Sequence, residues 1–300
     1  MKTVVIAGAS GFIGAHFRQQ FAAAGWQVRT VGRNGSIADA AWGDTAAITA
    51  LLDNADLLLN LAGKSVSCRY TPANKAEIVR SRVETTAELG RAMAVCVNPP
   101  RDWFNASTGT IYRDARDRPQ DEYDGERGSG FSVEVARGWE ETLAAADTPS
   151  TRRIPLRISI VMGPGGGVMR PFNNLARLGL GGRMGDGGQI FSWIHVQDLF
   201  RAVVFLHEHR EITGPVNIAS PVVVTNAELM RAVRSANRAP FGVPTPAWLL
   251  KMGAVLIRTE TELVLKSRWV ASRKLRDAGF IWKHPELSGA LASIAGDRHE

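Results

Sequence analysis

Cysteine is nearly absent from this chain: Cys68 and Cys96 are the only two in 300 residues. They form no metal-ligand spacing, and a reducing cytoplasm is the expected setting. Long apolar runs are missing too. None reaches the length of a membrane span, so no membrane partner is expected. No basic leader with a cleavage site precedes the first apolar run at Val4, so no secretory signal is expected. There is also no basic block. The 36 Lys and Arg exceed the 29 Asp and Glu, for a net charge of +7, but they are scattered along the chain. With no nucleic-acid-binding motif among them, nucleic acid is not an expected partner; a positive field equally suits an anionic cofactor. Internal repeats, heptad arrays and low-complexity segments are lacking as well.

What remains is ordinary globular composition, 45% hydrophobic and 22% charged. A chain of this length can bury a large core as one large domain or two unequal ones. Its organising stretch is Val4-Val5-Ile6-Ala7-Gly8-Ala9-Ser10-Gly11-Phe12-Ile13-Gly14. A short apolar run passes through three glycines into a pattern with Phe12, Ile13, Phe17 and Phe21 on one helical face. That is strand, tight turn and helix. Gly8 can take the turn's backbone angles, Gly11 leaves the main chain open to a pyrophosphate, and Gly14 allows close helix–strand packing. The free N–H groups of the helix start then face the anion. Gly8, Ser10, Gly11, Phe12, Ile13 and Gly14 are the expected cradle of a dinucleotide.

The next strand candidate, Gln27 to Gly32, ends at Gly32-Arg33-Asn34. An enzyme using NAD usually carries Asp or Glu here for the ribose 2′-OH. Arg33 can instead pair with a 2′-phosphate through its guanidinium fork, so NADP is expected over NAD. The alternative is an ordinary exposed arginine. Ala40 to Asp44 reads as a short third strand and its exit, with Trp42 to Asp44 as adenine-pocket candidates or simply packing and a turn. Thr45 to Asp53 reads as a short helix.

Asp56 to Gly63 reads as a buried parallel strand ending in small residues. Its close, Asn60-Leu61-Ala62-Gly63, and the Gly-x-x-Gly-x-x-Gly spacing at Gly8 resemble the short-chain dehydrogenase/reductase superfamily, in its extended or atypical branches. The segments Lys75 to Thr86, Gly163 to Gly167, Ser192 to Leu199 and Lys274 to Phe280 carry a narrower resemblance over nearly the whole chain. It is to the "epimerase family" of NAD-dependent epimerase/dehydratase-like proteins, which carry a small extra C-terminal domain. The resemblance implies that Asn60, Leu61, Ala62 and Gly63 lie along the cofactor. It implies that Arg82 approaches from the long helix predicted over 72–97; a surface arginine paired with glutamates is the alternative. It also implies a hydroxyl at the end of the strand over 101–107, where Ser107 and Thr108 both qualify, to hydrogen-bond the reacting oxygen. A turn cap is the other reading of these hydroxyls.

One departure bears on the reaction. Most members of the superfamily carry Tyr-x-x-x-Lys on the next helix, where the tyrosine exchanges a proton with the substrate oxygen. Aligned on Trp139-Glu140, that pair falls on Phe131 and Val135, and no Tyr-x-x-x-Lys occurs elsewhere. The narrower family shares this loss. Tyr112 offers a phenol, as proton donor or as a pocket wall. His195, between Ile194 and Val196, reads as a proton donor or, more simply, as a structural residue. The polar stretch 114–130 reads as a mobile loop over the site, with Asp121 and Glu122 solvated within it or acting on a substrate.

In the second half, 152–161 contains the sixth strand. Gly163 to Gly167 lacks the Lys-Ser/Thr ending of a triphosphate-binding loop. The glycine-rich 179–188 reads as a flexible connection, 196–207 and 226–236 as helices, and 215–219 as a strand. The apolar residues near 248–257 and 260–265 fit a small domain or a homodimer surface.

The expected fold class is α/β: a Rossmann-type doubly wound parallel sheet with a smaller C-terminal substrate-side domain. Residues 1–162 would form the dinucleotide-binding domain, its sheet completed from 190–220, and 163–300 mostly the substrate side. The expected function is that of an NADP-dependent oxidoreductase or epimerase-like enzyme of atypical mechanism acting on a small molecule, without a metal. The alternatives are a non-catalytic NADP(H)-binding redox-sensing regulator and a standard nucleotide-sugar epimerase, the latter disfavoured by Phe131 and Val135.

Overall fold

The structure is a computed structural model that describes residues 1–35, 37–246 and 266–296. The first half alternates strand and helix. It runs β1 (Thr3–Ala7), α1 (Phe12–Ala23), β2 (Gln27–Gly32), β3 (Ala40–Ala41), α2 (Thr45–Leu52), β4 (Leu57–Asn60), α3 (Pro72–Ala94), β5 (Asp102–Thr108), a 3₁₀ turn (Gly109–Ile111), α4 (Phe131–Ala144) and β6 (Arg152–Ile158). The second half contributes β7 (Ile160–Met162), α5 (Met169–Arg177), β8 (Ile190–Phe191), β9 (Trp193–His195), α6 (Val196–Glu208), β10 (Val216–Ile218), β11 (Val224–Thr225), α7 (Asn226–Ala236), α8 (Arg273–Asp277) and α9 (Leu287–Gly296).

Seven strands form one parallel sheet in the order β10-β6-β5-β4-β1-β2-β3. The chain starts in the middle, winds outward to β3, then returns through β4 to the other edge. Its order reverses between β1 and β4, where open α/β sheets bind ligands at their carboxyl ends. The register sets Ala7 beside Val31 and Asn60, and Asn60 beside Asn105. The turns after β1, β2, β4 and β5 therefore share one rim.

Helices cover both faces, which is why the strands read as unbroken apolar runs rather than alternating ones. Val4, Ile6, Leu57, Leu59 and Phe104 pack with Phe17 and Phe21 of α1 and Leu199, Val203 and Leu206 of α6. Val5, Leu58 and Trp103 pack on the other face with Ile48, Leu52, Leu89, Met93 and Leu143. A third cluster joins Met162, Met169 and Trp193 to Leu229, Val233, Leu291 and Ile294 on α7 and α9.

Two expectations are corrected. The stretch 114–130, expected as a mobile loop over the site, is anchored by buried hydrogen bonds. Gln120 is fully buried, its N–H donates to the Trp269 carbonyl, and its side-chain oxygen accepts the Glu126 N–H. Glu122 accepts the N–H groups of Asn217 at 2.9 Å and Arg273 at 3.0 Å, which ties the loop to β10 and to the start of α8. Asp121 accepts Tyr123 and Asp124 N–H groups and pairs with Arg273. Neither carboxylate is simply solvated. The glycine-rich 179–188 is also closely packed. A Cβ at Gly181 would lie 2.8 Å from Ala176 Cα, and one at Gly182 would overlap the Val243 carbonyl. These glycines are there for backbone contact, not for looseness. The sixth strand breaks at Ser159, where β7 leaves the large sheet to pair with β9. The segments read at 248–257 and 260–265 lie outside the described residues.

Candidate functional site at the strand ends

The turn after β1 is a cradle only glycine can form. Gly8 has φ +84°, and a Cβ there would lie 2.8 Å from the Ala62 nitrogen. The β1 and β4 turns are thus in backbone contact. A Cβ at Gly14 would overlap the Gly8 carbonyl oxygen. Above Gly11 there is room: the nearest atom to a Cβ would be Gly8 O at 3.5 Å. Gly11 caps α1 without any side-chain hydrogen bond, and the first turn holds no acidic residue. The helix-start N–H groups of Phe12 and Ile13 are therefore presented to an anion, with the positive end of the helix dipole behind them. The Phe12 ring turns the other way. Cβ atoms at Gly163 and Gly166 would collide with it, so the 163–167 loop is glycine-rich to admit Phe12 rather than a phosphate.

At the end of β2, Arg33 and Asn34 are exposed. The nearest following carboxylate, Asp39, folds back instead and accepts the Thr30 N–H at 2.7 Å and its hydroxyl at 2.8 Å. Among the described residues, no other acid stands at this strand end to meet a ribose 2′-OH. Of the adenine-side candidates, Gly43 donates its N–H to Glu88 at 2.7 Å and Asp44 caps α2 through Ala47, so packing and a turn engage both.

Asn60 is fully buried. Its amide donates to Asn105 Oδ1 at 2.7 Å and Thr86 Oγ1 at 3.0 Å, and its oxygen accepts the Ala62 N–H at 3.0 Å. Trp139 Nε1 donates to the same Thr86 hydroxyl. The asparagine therefore shapes the Leu61-Ala62-Gly63 turn through a network linking β4, β5, α3 and α4. Arg82 reaches the turn from α3. A Cβ at Gly63 would lie 3.1 Å from its Cζ, its guanidinium sits 5.0 Å from the Trp139 ring centroid, and one nitrogen donates to the Ile78 carbonyl. Burial pulls its pKa down to about 10, with a smaller opposing effect from Tyr70. A cation this poorly hydrated has much to gain from an anion.

The structure separates the two strand-end hydroxyls. Ser107 is buried and donates to Glu140 at 2.7 Å. Thr108 is half-buried beyond it, its oxygen accepting the Thr110 N–H. Glu140 is held by a two-point ion pair with Arg157, at 2.9 Å and 2.8 Å. Arg157 also donates to the Tyr112 oxygen, which donates in turn toward Asn217 Oδ1 and the Asp121 carbonyl, each at 2.9 Å. Tyr112 is 1% exposed. Burial raises its pKa, and Arg157 only partly offsets that. Its hydroxyl is thus enclosed rather than facing open space.

His195 is fully buried too. Its Nδ1 accepts the Gln197 N–H as the cap of α6, its Nε2 has no hydrogen-bond partner, and its ring lies 4.0 Å from that of His284. Burial, then His284, pushes its pKa down to about 3. A neutral capping histidine is the structural residue that the sequence allowed for. Among the described residues no group of His, Cys, Asp or Glu could hold a metal ion, and no helix is long and apolar enough to cross a membrane.

Phe131, at the family tyrosine's place, opens α4. Tyr70 meets its ring edge-on at 4.9 Å, and Lys75 Nζ lies 5.0 Å from its centroid. Sequence reasoning missed Tyr70, Lys75, Glu140 and Arg157. Lys75 and Tyr70 carry no spacing signal relative to Phe131, which lies some sixty residues later.

Residues 4–219 match the NAD dependent epimerase/dehydratase family. The chain belongs to that family. Residues 245–294 match a domain of unknown function, DUF1731. Epimerase family protein SDR39U1 of Bos taurus is 32% identical over 97% of this chain and 99% of its own length. Epimerase family protein YfhF of Bacillus subtilis is 26% identical, with 98% of both chains covered. The fold is similar to the crystal structure of human epimerase family protein SDR39U1 (isoform 2) with NADPH, at TM-score 0.89 and 30% identity over 98% of this chain and 99% of that one.

Proposed function

We propose that this chain binds NADP(H) along the strand-end rim and reduces or oxidises a small molecule there. One observation carries the reading: a side-chain-free anion cradle at Gly8, Gly11 and Gly14 stands beside a β2 end that offers Arg33 and no free carboxylate. The NADPH bound to a human relative of 30% identity supports it. When bound, the dinucleotide would supply hydride at its nicotinamide. The N–H groups of Phe12 and Ile13 would hold the pyrophosphate, and Arg33 the 2′-phosphate. Leu61, Ala62 and Gly63 would line the ribose side, with Asn60 fixing their backbone and Arg82 adding positive charge. Thr108, whose hydroxyl is not spent on Glu140, is the group to hydrogen-bond a reacting oxygen; Ser107 and Tyr112 serve the buried network beneath it.

The second reading, a redox-sensing regulator that binds NADP(H) without turnover, is favoured by one observation: Phe131 and Val135 cannot transfer a proton. NADPH oxidation across aldehydes, ketones and quinones decides between them. Turnover that falls in Thr108→Ala while NADPH binding persists supports the enzyme. Tight binding with no turnover on any substrate supports the regulator.

A further inference from the structure

Resting on the cofactor reading above, we propose that Asp39 is a positioning residue for the 2′-phosphate: its lock onto Thr30 holds Arg33 at the strand-end rim and so sets the preference for NADPH over NADH. On charge alone the residue stands in the wrong place. A carboxylate six positions from the phosphate-binding arginine should repel a 2′-phosphate, and removing it should tighten NADPH. The hydrogen bonds argue for the opposite sign.

Asp39 Oδ2 accepts the Thr30 N–H at 2.7 Å and the Thr30 hydroxyl at 2.8 Å, and the Asp39 N–H donates back to that hydroxyl oxygen at 3.2 Å. Three hydrogen bonds thus join one residue of β2 to the residue that precedes β3. Thr30 is buried, which shields its side of the lock from water. The β2–β3 ladder begins one residue further on, at Val31 beside Ala40, and continues with Gly32 beside Ala41. Beyond it the Trp42 N–H donates to the Gly32 carbonyl at 2.9 Å.

Arg33 is suspended between two points of this framework. Before it, Gly32 is held by the ladder and by close packing: a Cβ there would lie 3.1 Å from Ala38 Cβ. After it, the Asn34 carbonyl accepts the N–H groups of Ile37 at 3.1 Å and Ala38 at 3.0 Å. Ala38 is the residue next to Asp39. Both neighbours of Arg33 are therefore tied to the segment that the carboxylate anchors. The arginine itself is exposed, so its order must come from its backbone. A long side chain that starts from a fixed Cα loses less freedom on binding than one on a loosened turn, and the difference appears as affinity. NADH carries no 2′-phosphate, so it makes no use of Arg33 and is indifferent to the lock.

Isothermal titration with NADPH, NADH and 2′,5′-ADP tests this on Asp39→Ala, Asp39→Asn and Thr30→Val. We expect Asp39→Ala to bind NADPH and 2′,5′-ADP about fivefold or more weakly, and NADH as the wild type does. Asp39→Asn keeps an oxygen acceptor for both Thr30 donors, so it should keep the preference. Thr30→Val keeps the side-chain shape and the main-chain bond to Asp39, and should fall between the wild type and Asp39→Ala. Tighter NADPH binding by Asp39→Ala, the outcome of simple charge repulsion, overturns the proposal. Equal weakening of NADPH and NADH, the outcome of a general loss of structure, overturns it as well, and so does an unchanged ratio. Arg33→Ala separates the lock from the reading beneath it. If Arg33→Ala abolishes the preference while Asp39→Ala leaves it intact, the lock alone fails; a wild type with no preference for NADPH removes both.

Discussion

Acid should destabilise this protein through one buried histidine. His195 is fully buried, and its Nδ1 must stay unprotonated to accept the Gln197 N–H that starts α6. Protonation would break that cap and place a charge 4.0 Å from the His284 ring, with Lys283 nearby. The folded state therefore resists the proton down to a pKa of about 3, whereas an unfolded histidine takes it near 6.5. Because the unfolded chain binds the extra proton, stability is full above 6.5 and falls as pH drops toward 3. The slope approaches about 1.4 kcal/mol per pH unit, so roughly 2 kcal/mol is lost between about pH 6.5 and 4.5. Other carboxylates titrate in the same range, so the assay needs a partner protein. His195→Asn keeps an N-cap acceptor and removes the titration. Urea unfolding followed by tryptophan fluorescence should show the wild type losing about 2 kcal/mol more than His195→Asn over this window. Parallel pH curves for the two proteins would refute the reasoning.

Three further outcomes follow from the same geometry. Gly14→Ala would press a methyl into the Gly8 carbonyl and to 2.8 Å from Ala9 Cα; it should cost about 1–3 kcal/mol and weaken NADPH binding sharply, as read by thermal melting and calorimetry. Asn60→Ala strips partners from Asn105 and from the Ala62 N–H, so urea unfolding should show a loss of about 2–4 kcal/mol, well beyond an ordinary surface change. Glu140→Gln leaves Arg157 buried without its counter-charge and should cost about 3–5 kcal/mol; a melting temperature within a degree of wild type would contradict that.

The parts of the fold that were legible in sequence are those set by local chemistry. Gly8 and Gly14 announced the β1–α1 turn because only a Cβ-free backbone can pack at those two positions, and Gly11 keeps the space above the helix start open. Leu57, Leu58 and Leu59 announced a strand covered on both faces. Asn226–Ala236 was bounded correctly because Thr225 and Glu228 form a capping box at its start. What stayed hidden depends on partners distant in sequence. The acids of 114–130 look the same in a solvated loop as in one tied down, and Glu122 meets Arg273 across 151 positions. The apolar alternation runs through Ser159 without marking where β7 departs. Asp39 lies six residues beyond Arg33, and only the fold shows its carboxylate turned back onto Thr30. Ser107 and Thr108 could not be ranked until Glu140 was found beneath one of them.

The central claim is that this rim holds a 2′-phosphorylated dinucleotide by main-chain amides and the Arg33 guanidinium. Isothermal titration of the wild type and Arg33→Ala with NADPH and NADH tests it most directly. NADPH should bind the wild type at least about tenfold more tightly than NADH, a difference of about 1.4 kcal/mol, and Arg33→Ala should remove that preference while leaving NADH affinity unchanged. No heat with either nucleotide on folded protein, or equal weakening of both by Arg33→Ala, would contradict the account.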